Sequence, residues 1–514
     1  MHDMLIKNAR IIDGSGAPWF KADVAVDNGL ITSVGKVTGE ARRTIDASGL
    51  VLSPGFIDSH SHSDDPLLKN RNAESKVRQG VTTEVIGQCG ASAAPRVEGS
   101  GEDEDGFESF AEYLDLLRSR GVSLNVVPLV GHGNIRAAVM GYENRPATEQ
   151  ELAAMCELAE ECMLAGARGF TTGLIYPPGS YADHKEIVAM AKTVARHGGY
   201  YATHMRDEGA DLLASVRESI AVGREANIPV QISHHKVCGE ANWGLVKDSL
   251  EIIDAARAEG VDVTMDQYPY IATATGLKVI IPQWAHSGGK LAMRERLLDP
   301  ITGPKIREEI EATEKRWDWL LIASCQKQEN KRYEGRTAQE IGEIMGKTPL
   351  EASLDLLLDE DFNVGMVRFA MCEEDVELVL SHPAVMIGSD AGARATYGVL
   401  AEGKPHPRSY GTFPRVLEKY VRERRVITLE QAVYKMTGLP AARWGLWNRG
   451  LIRPGFKADL VLFDPATVHE TATFANPHSY PQGIPYVVVN GQLVVDAGEH
   501  TGMAPGEVLV AASR

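Results

Sequence analysis

The sequence is poor in three features that mark particular classes of protein: cysteine, long apolar runs and positive charge. Only 6 cysteines are spread over 514 residues, which is too sparse for the disulfide framework of a small secreted domain. No uninterrupted apolar run approaches the roughly 20 residues of a membrane-spanning helix. The net charge of −17 argues against nucleic acid or an anionic membrane as a partner, because those surfaces are bound by basic patches.

The N-terminal stretch "MHDMLIKNARIIDGSG" lacks the basic segment and long apolar run of a signal peptide. Together with the sparse cysteines, this indicates a reduced, cytoplasmic protein whose partner is a small molecule. The sequence carries no signal for a particular oligomeric state.

Both ends of the chain read as short strands separated by turn signals. Asn28-Gly29 and Asn490-Gly491 each interrupt alternating apolar residues, and this pattern predicts a β-hairpin. We therefore expect one small β domain, a β-sandwich assembled from residues 1–53 and 449–514.

The middle of the chain, residues 54–448, alternates short apolar runs with helical patterns, for example at 148–166, 183–198, 212–227 and 245–260. The eight runs are "LVLSPGFIDSH", "VTTEVIGQC", "LNVVPLVGH", "RGFTTGLIY", "GYYATH", "IPVQISH", "VDVTMDQY" and "AVMIGSD". Eight βα units predict a closed (β/α)8 barrel of the TIM type, with an open doubly wound sheet as the alternative. The long interval between the last two runs is too long for a simple crossover, so we expect an inserted subdomain at about 280–347.

Polar side chains end nearly every one of these runs. They are His60, His62, Cys89, His132, Tyr176, His204, His234, His235, Tyr268 and Asp390. A single histidine at a strand end is ordinarily satisfied by hydrogen bonds, but the carboxyl ends of barrel strands converge on one face. So many titratable groups at one face indicate a functional site.

The pair His60 and His62 points to a metal. Residues i and i+2 of a strand share a face, and imidazole is a common zinc ligand. Adding Cys89 and the later strand-end histidines gives thiolate, imidazole and carboxylate groups, a mixture that suits zinc better than magnesium or calcium. His234 and His235 are neighbours on a strand, so only one of them can face the barrel axis.

Several longer motifs resemble a known family. They are "PGFIDSHSH", "GQCG" (87–90), "TTGLIYPPG" (171–179), "THMRDEG" (203–209), "ISHHK" (232–236), "GSDAG" (388–392) and "HPRSYGTFPRVL" (406–417). They resemble the amidohydrolase superfamily of metal-dependent barrel hydrolases and, within it, the N-acyl-D-amino-acid deacylases, or D-aminoacylases. The resemblance extends over essentially the whole chain.

The resemblance implies how the metal is held. Many superfamily members bridge two metals with a carboxylated lysine on the fourth strand, but "ARGFTTGLIY" contains no lysine. In the deacylases a second-strand cysteine is a metal ligand instead, and Cys89 matches it. The implied tight zinc ligands are Cys89, His204 and His234, with "ISH" favouring His234 over His235. His60, His62 and Asp390 would form a second zinc site that is weak or absent.

The resemblance also implies a reaction, the release of a carboxylate and a D-amino acid from an N-acyl-D-amino acid. Asp390, in "IGSD", matches the general base and acid of the family. Arg408 in "HPRSYG" and Lys236 in "SHHK" match contacts to the substrate carboxylate. Tyr268 is a third candidate, with Tyr270 competing for the same role. D-selectivity is inherited from the resemblance and does not follow from these residues.

Other interpretations stay open from the sequence. An amidohydrolase acting on a cyclic amide, as hydantoinases and dihydroorotases do, or on a dipeptide is the main alternative, although such enzymes generally use the missing lysine. A barrel that has lost catalysis and acts as a scaffold is a remote one, since every expected ligand is intact.

Smaller expectations concern loops and thiols. The loop 391–407 is longer than in the family, so Arg394 and Tyr397 within it could also touch substrate. Charged residues 206–208 are expected to hold a loop through ion pairs, and Asp58 to support the site through a hydrogen bond. Five cysteines are expected to be structural thiols: Cys156, Cys162, Cys238, Cys325 and Cys372.

Overall fold

The computed structural model describes residues 1–96 and 106–511. The N-terminal segment forms five strands: β1 His2–Ile11, β2 Phe20–Asp27, β3 Leu30–Gly35, β4 Ala41–Asp46 and β5 Val51–Pro54. Asn28 and Gly29 connect β2 to β3 with φ angles of 52° and 77°, the left-handed conformation that a two-residue hairpin turn requires. The hairpin predicted at Asn28-Gly29 is therefore present.

The chain then enters the barrel. Its first strands are β6 Phe56–Asp58, β7 Val81–Ile86, β8 Asn125–Pro128, β9 Val130–Gly131, β10 Gly169–Gly173, β11 Tyr200–His204, β12 Val230–Ile232 and β13 Val263–Gln267. The helices of this part are α1 Pro66–Lys69, α2 Glu74–Val77, α3 Phe110–Arg120, α4 His132–Met140, α5 Glu149–Ala165, α6 His184–Arg196, α7 Leu212–Ala226 and α8 Leu245–Ala258. Neighbouring barrel strands pair in parallel. The helical patterns at 148–166, 183–198, 212–227 and 245–260 correspond to α5–α8.

Helix α5 shows why these patterns start where they do. Thr148 accepts a hydrogen bond on its hydroxyl from the Glu151 backbone N–H at 3.2 Å, and the Glu151 carboxylate accepts one from the Thr148 N–H at 2.8 Å. This capping box satisfies two amide groups that the helix leaves unpaired. Helix α5 begins at Glu149, the residue after Thr148.

An insert follows β13. It contains a three-stranded antiparallel sheet, order β14-β16-β15, made of β14 Ala272–Gly276, β15 Leu320–Ser324 and β16 Gly365–Phe369. Its helices are α9 Gly289–Leu298, α10 Thr302–Thr313, α11 Ala338–Met345 and α12 Pro349–Asp359. A hydrophobic cluster of its own runs from Leu277 to Met366. The insert thus packs as a unit above the barrel, and its sheet lies over the strand ends.

The eighth barrel strand closes the cylinder. Helix α13 Glu373–Ser381 leads to β17 Val385–Ile387, which pairs with β13. The Ser59 N–H, just after β6, donates to the Ile387 carbonyl at 3.2 Å, and Ser61 forms a parallel bridge with Ala391. The last strand therefore meets the first, so the barrel is confirmed and the open sheet is wrong.

The chain returns to the β domain through α14 Arg408–Arg415, a π-helical segment Val416–Glu423, α15 Leu429–Met436 and α16 Gly438–Arg443. Strands β18 Leu460–Phe463, β19 Tyr486–Val489, β20 Gln492–Asp496 and β21 Glu499–His500 complete a nine-stranded sheet with β1–β5. Along β18, Leu460 and Leu462 enter the core of the β domain while Val461 and Phe463 pack on the barrel. This period-two burial builds the β-sandwich against the barrel.

Short 3₁₀ segments connect these elements, at Gly179–Tyr181, Glu240–Asn242, Leu277–Ile280, Gln283–His286, Trp317–Trp319, Gln328–Tyr333 and Gly398–Ala401. In the described ranges, no helix has both the length and the apolar character needed to cross a bilayer.

Candidate active site

The structure brings the predicted strand-end ligands into two clusters that share Cys89. The first contains Cys89, His204 and His234, and the second contains His60, His62, Cys89 and Asp390; within each, the ligand atoms lie within 4.8 Å of one another. Cys89 Sγ is 3.3 Å from Nε2 of His60 and 3.3 Å from Nε2 of His234. Such spacing fits a pair of adjacent metal positions.

Three of these residues leave their strands in a left-handed conformation. The φ angles are 55° at Cys89, 36° at His234 and 52° at Asp390, values that side-chain-bearing residues seldom adopt. Hydrogen bonds fix two of them: the His234 N–H donates to Asp266 Oδ1 at 2.8 Å, and the Asp390 N–H donates to the His60 carbonyl at 2.8 Å. The surrounding structure thus stabilises a strained backbone conformation at the residues whose side chains converge on the two clusters.

Asp390 is a buried carboxylate surrounded by positive groups. Its Oδ2 lies 2.8 Å from Arg408 Nη1, and its Oδ1 lies 3.0 Å from His62 Nε2 and 3.4 Å from His60 Nε2. Burial alone would raise the pKa of Asp390, but the Arg408 guanidinium and the histidines outweigh burial and hold the pKa well below its usual range. Asp390 is therefore ionised.

Cys89 and His204 have the chemistry of metal ligands. Burial opposes ionisation of Cys89, yet the positive charges of His60 and His234 lower the pKa of its thiol well below the usual value. Neither ring nitrogen of buried His204 has a hydrogen-bond partner within the described part of the chain. A thiolate beside imidazole nitrogens with no partner fits a zinc ion.

The structure distinguishes His234 from His235. His234 points into the first cluster, where its ring centroid is 4.4 Å from that of His204. His235 points behind the barrel and its Nε2 lies 2.8 Å from the Ser249 hydroxyl on α8. Burial lowers the pKa of His235 to about 3, so this side chain is a neutral packing group.

The three predicted carboxylate contacts line one cavity of about 580 Å³ together with five of the predicted metal ligands, His62, Cys89, His204, His234 and Asp390. The Arg408 guanidinium carbon lies 4.6 Å from the centre of the Tyr268 ring, and Lys236 Nζ lies 5.7 Å from it. Tyr270 lies outside this group, because its hydroxyl donates to Glu470 Oε2 at 2.7 Å. Tyr268 therefore lines the cavity, and Tyr270 is not among the described residues that line it.

Glu208 is a site residue that sequence reasoning missed. Of the charged residues 206–208, Arg206 forms the expected pair on the loop, with Glu218 at 2.9 Å. Glu208 instead turns into the cavity, where it accepts a hydrogen bond from Lys236 Nζ at 2.6 Å and lies 3.0 Å from His234 Nδ1. The available signal was its position four residues after His204.

Three buried residues, Asp266, Lys76 and Asp58, support the second cluster. Asp266 Oδ1 lies 3.2 Å from His60 Nδ1, so it orients that ring. Lys76 Nζ donates to Asp58 Oδ2 at 2.7 Å and to the Ala391 carbonyl at 2.6 Å. Asp58 in turn accepts from the His60 N–H at 3.2 Å, the supporting bond expected from the sequence. Lys76 itself carried no sequence signal.

Two further expectations concern the loops. Neither Arg394 nor Tyr397 is among the described residues lining the cavity, and Tyr397 is 52% exposed, so the expectation that they touch substrate is not supported. Cys238 does line the cavity. Burial, reinforced by Glu208, raises the pKa of Cys238 to about 12, and its thiol stays neutral.

Comparison with known proteins agrees with this arrangement. Residues 43–495 match the model of a family described as "Amidohydrolase family". A D-aminoacylase of Alcaligenes xylosoxydans xylosoxydans is 41% identical, over 99% of this chain and 97% of the relative. An N-acyl-D-aspartate deacylase of the same organism is 39% identical, over 99% and 95%. A crystal structure is known for an N-acyl-D-glutamate deacylase from Bordetella bronchiseptica, complexed with zinc and a phosphonate mimic of the tetrahedral intermediate. It superposes on this chain with a TM-score of 0.87 and is 35% identical in sequence. The superposition covers 99% of this chain and 100% of that one.

Proposed function

Because the chain belongs to the amidohydrolase family and, within it, to the N-acyl-D-amino-acid deacylases, we propose that it hydrolyses the amide bond of N-acyl-D-amino acids. The products are a carboxylate and a free D-amino acid. One observation carries the proposal: a thiolate–imidazole cluster, an ionised aspartate and a set of carboxylate-binding cations all face one cavity.

Cys89, His204 and His234 would hold a tightly bound zinc ion, and His60, His62 and Asp390 would form a weaker second site. A bound zinc ion lowers the pKa of a water ligand towards about 7 and polarises a carbonyl oxygen. The thiolate character of Cys89 supports this assignment, and so do the His204 nitrogens, which make no hydrogen bond to a described group. Glu208, beside His234 Nδ1, keeps that ring oriented.

Asp390 acts as general base and then general acid in this proposal. Its carboxylate is ionised and faces the cavity, so it can accept a proton from the attacking water. The same carboxyl group then gives the proton to the leaving nitrogen, which must be protonated before the C–N bond breaks. His62, at 3.0 Å, restricts the orientation of Asp390.

Arg408, Lys236 and Tyr268 would bind the substrate carboxylate. Arg408 Nη1 is buried and, despite its ion pair with Asp390, makes no well-directed hydrogen bond to a described group, so it retains a donor for a ligand. Burial opposes the charge of Lys236, but Glu208 outweighs burial and raises the pKa of Lys236, which therefore stays charged. Two cations beside an aromatic ring suit a carboxylate group.

The experiment is a hydrolysis assay of the zinc-supplied protein on matched N-acetyl-D- and N-acetyl-L-amino acids, with methionine, leucine, phenylalanine, aspartate and glutamate as side chains. We expect amine release from D substrates only. Asp390→Asn should lower kcat by about 10²–10⁴-fold, because the proton acceptor is lost, while zinc bound at Cys89, His204 and His234 is retained.

Cys89→Ala is the matched variant, and it should lose the zinc as well as the activity. Hydrolysis of hydantoins, dihydroorotate or dipeptides without hydrolysis of N-acyl-D-amino acids would instead support the cyclic-amide or dipeptide alternative. Zinc content is measured in both variants, so that loss of the metal is distinguished from loss of the base.

A further inference from the structure

A second cavity of about 420 Å³ adjoins the catalytic one. The two share a wall made of Tyr142, Ile175, Tyr176, Pro177 and Val279. We call the second cavity the side chamber; its remaining walls come from the insert, chiefly Ile281, His286, Met293 and Phe362. The side chamber therefore lies between the loop after β10 and the insert, and it continues the catalytic cavity away from the barrel axis.

The deep part of the side chamber is apolar. Ile281, Met293 and Phe362 are all buried. His286 Nε2 donates to the Ile281 carbonyl at 3.1 Å, and burial lowers the pKa of His286 to about 4, so the ring is neutral. The lining also contains three charged residues, Lys278, Lys290 and Asp361, all of them exposed, and Lys290 pairs with Asp361. Such an interior accommodates hydrocarbon and disfavours an ion.

The position of the side chamber relative to the catalytic groups decides which part of a substrate can enter it. The carboxylate-binding residues Lys236, Tyr268 and Arg408 come from the ends of β12 and β13 and from α14. Tyr176, in the shared wall, follows β10, and its ring centroid is 4.9 Å from that of His204. A scissile carbonyl at the first cluster therefore has the carboxylate-binding residues on one side and the side chamber on the other.

An N-acyl-D-amino acid has the matching connectivity. Its carboxylate lies on the amino-acid side of the scissile carbonyl carbon, and its acyl chain leaves that carbon on the opposite side. With the carboxylate held by Arg408 and Lys236, the acyl chain extends past Tyr176. The amino-acid side chain remains in the catalytic cavity, beside strand β16 of the insert, which carries Met366 and Arg368.

We propose that the side chamber is the binding site for a medium-length, linear, saturated acyl chain, and that this enzyme favours such substrates over N-acetyl ones. The proposal rests on the deacylase function proposed above and names its acyl specificity. Each methylene that leaves water is worth about 0.8 kcal/mol when fully buried, or about a fourfold gain in kcat/KM. Partial burial gives a smaller gain.

The test measures kcat/KM of the zinc-loaded enzyme on one D-amino acid carrying acetyl, butanoyl, hexanoyl or octanoyl groups. We expect a rise of about twofold to fourfold per methylene until the side chamber is full. Val279→Trp, in the shared wall, should bring the octanoyl-to-acetyl ratio close to one. Leu291→Trp introduces the same indole side chain into the insert at a position where the leucine is 75% exposed and should keep the wild-type ratio.

Free carboxylates of the same chain lengths provide a measurement that does not depend on the variant folding. As inhibitors of N-acetyl hydrolysis they should bind more tightly with each methylene. Hydrolysis of the N-acetyl substrate with a flat or falling chain-length profile would overturn the acyl site and leave the proposed function standing. No hydrolysis of any member of the D series would overturn the proposed function itself.

Discussion

Buried charges at the carboxyl ends of the barrel strands each lie beside a charge of opposite sign. Asp390 faces Arg408 at 2.8 Å, Glu208 faces Lys236 at 2.6 Å, and Lys76 faces Asp58 at 2.7 Å. A buried charge without a partner costs several kcal/mol, so these pairs are interdependent. Removing one member of such a pair therefore lowers the free energy of unfolding more than removing a surface charge does.

Lys76→Met tests this dependence for stability. Lys76 and Asp58 are fully buried, and the variant leaves Asp58 without a counter-charge. We expect a loss of about 3–5 kcal/mol in the free energy of unfolding, measured by urea unfolding.

Lys185→Met is the matched control. Lys185 forms an ion pair with Glu149 in which the side chains are 69% and 90% exposed, so the free energy of unfolding should stay close to that of the wild type. Equal effects of the two variants would contradict the interpretation of Lys76.

Glu208→Gln tests how a neighbouring carboxylate supports the metal site. The variant removes the negative charge beside His234 Nδ1 and Lys236 Nζ, so His234 becomes a poorer ligand. We expect about a 10- to 100-fold loss of zinc affinity, measured by competition with a chelator.

Glu218→Gln is the matched control, because it makes the same glutamate-to-glutamine change but affects the ion pair with Arg206. The zinc affinity of this variant should equal that of the wild type. An unchanged zinc affinity in Glu208→Gln would show that this carboxylate supports only Lys236.

Much of the site was predictable at the scale of residues, for a geometric reason. The predicted ligands, such as His60 and Cys89, follow the ends of strands, and strand ends converge in a barrel, so their position in sequence reports their position in space. Glu208 and Lys76 reach the site from a loop and from the short helix α2. No periodicity links such positions to the strand ends, and only tertiary packing brings them there.

At the scale of elements, the turns after the barrel strands determine the positions of site residues as much as the strands do. Gly87 follows β7 with a φ of 78°, and a Cβ on it would lie 2.0 Å from the Leu129 carbonyl oxygen. The loop carrying Cys89 therefore packs against the backbone after β8 with no space for a side chain. This close approach fixes where Cys89 leaves its strand.

Gly87→Ala should displace that loop and weaken zinc binding along with stability. Gly455→Ala is the matched control, since Gly455 has a φ of 87° and a Cβ added there would have no described atom within 4 Å. Both variants bear the cost of about 1 kcal/mol or more for a left-handed alanine. Only Gly87→Ala adds a clash, so a larger loss of stability and of zinc is expected there, by thermal unfolding and metal analysis.

The stability of the insert should decrease at acidic pH because of His286. Its pKa is lowered by burial from 6.5 to about 4, so the unfolded chain binds more protons between these values. The stabilisation is complete above pH 6.5 and is lost as the pH falls towards 4; at pH 5 the loss is about 1–2 kcal/mol. His286→Gln removes this titration and should lose less stability than the wild type between pH 7.5 and pH 5.

Urea unfolding followed by the fluorescence of Trp284, Trp317 and Trp319 in the insert measures that difference. His184→Gln, on the outer surface beside Glu225, is the control and should follow the wild type. An identical pH dependence in His286→Gln and the wild type would contradict a neutral, buried His286.

The elements themselves were predicted unevenly. Helices such as α5 were found within one or two residues because caps and apolar periodicity agree. The sheet of the insert was not predicted. Its strand β14 pairs with β16, where Ala272 faces Phe369, and pairing over so long an interval leaves no local turn signal.

At the scale of the whole molecule, one sheet joins the two ends of the chain. Strand β5 pairs with β1 on one side and with β18 on the other. Arg449 adds a buried ion pair with Asp459 next to β18, and Val508 forms a bridge with Val126 on the barrel. The barrel is thus held between an early and a late segment of the same β domain.

This arrangement has a consequence for biosynthesis. On a ribosome, β5 emerges long before β18, and the intervening barrel and insert take roughly 20–80 s to translate at about 5–20 residues per second. During that time the edge of β5 that will receive β18 exposes unpaired amide and carbonyl groups, the kind of edge that recruits foreign strands. The nascent chain therefore depends on its own last segment, or on a chaperone until that segment arrives, to cover an aggregation-prone edge.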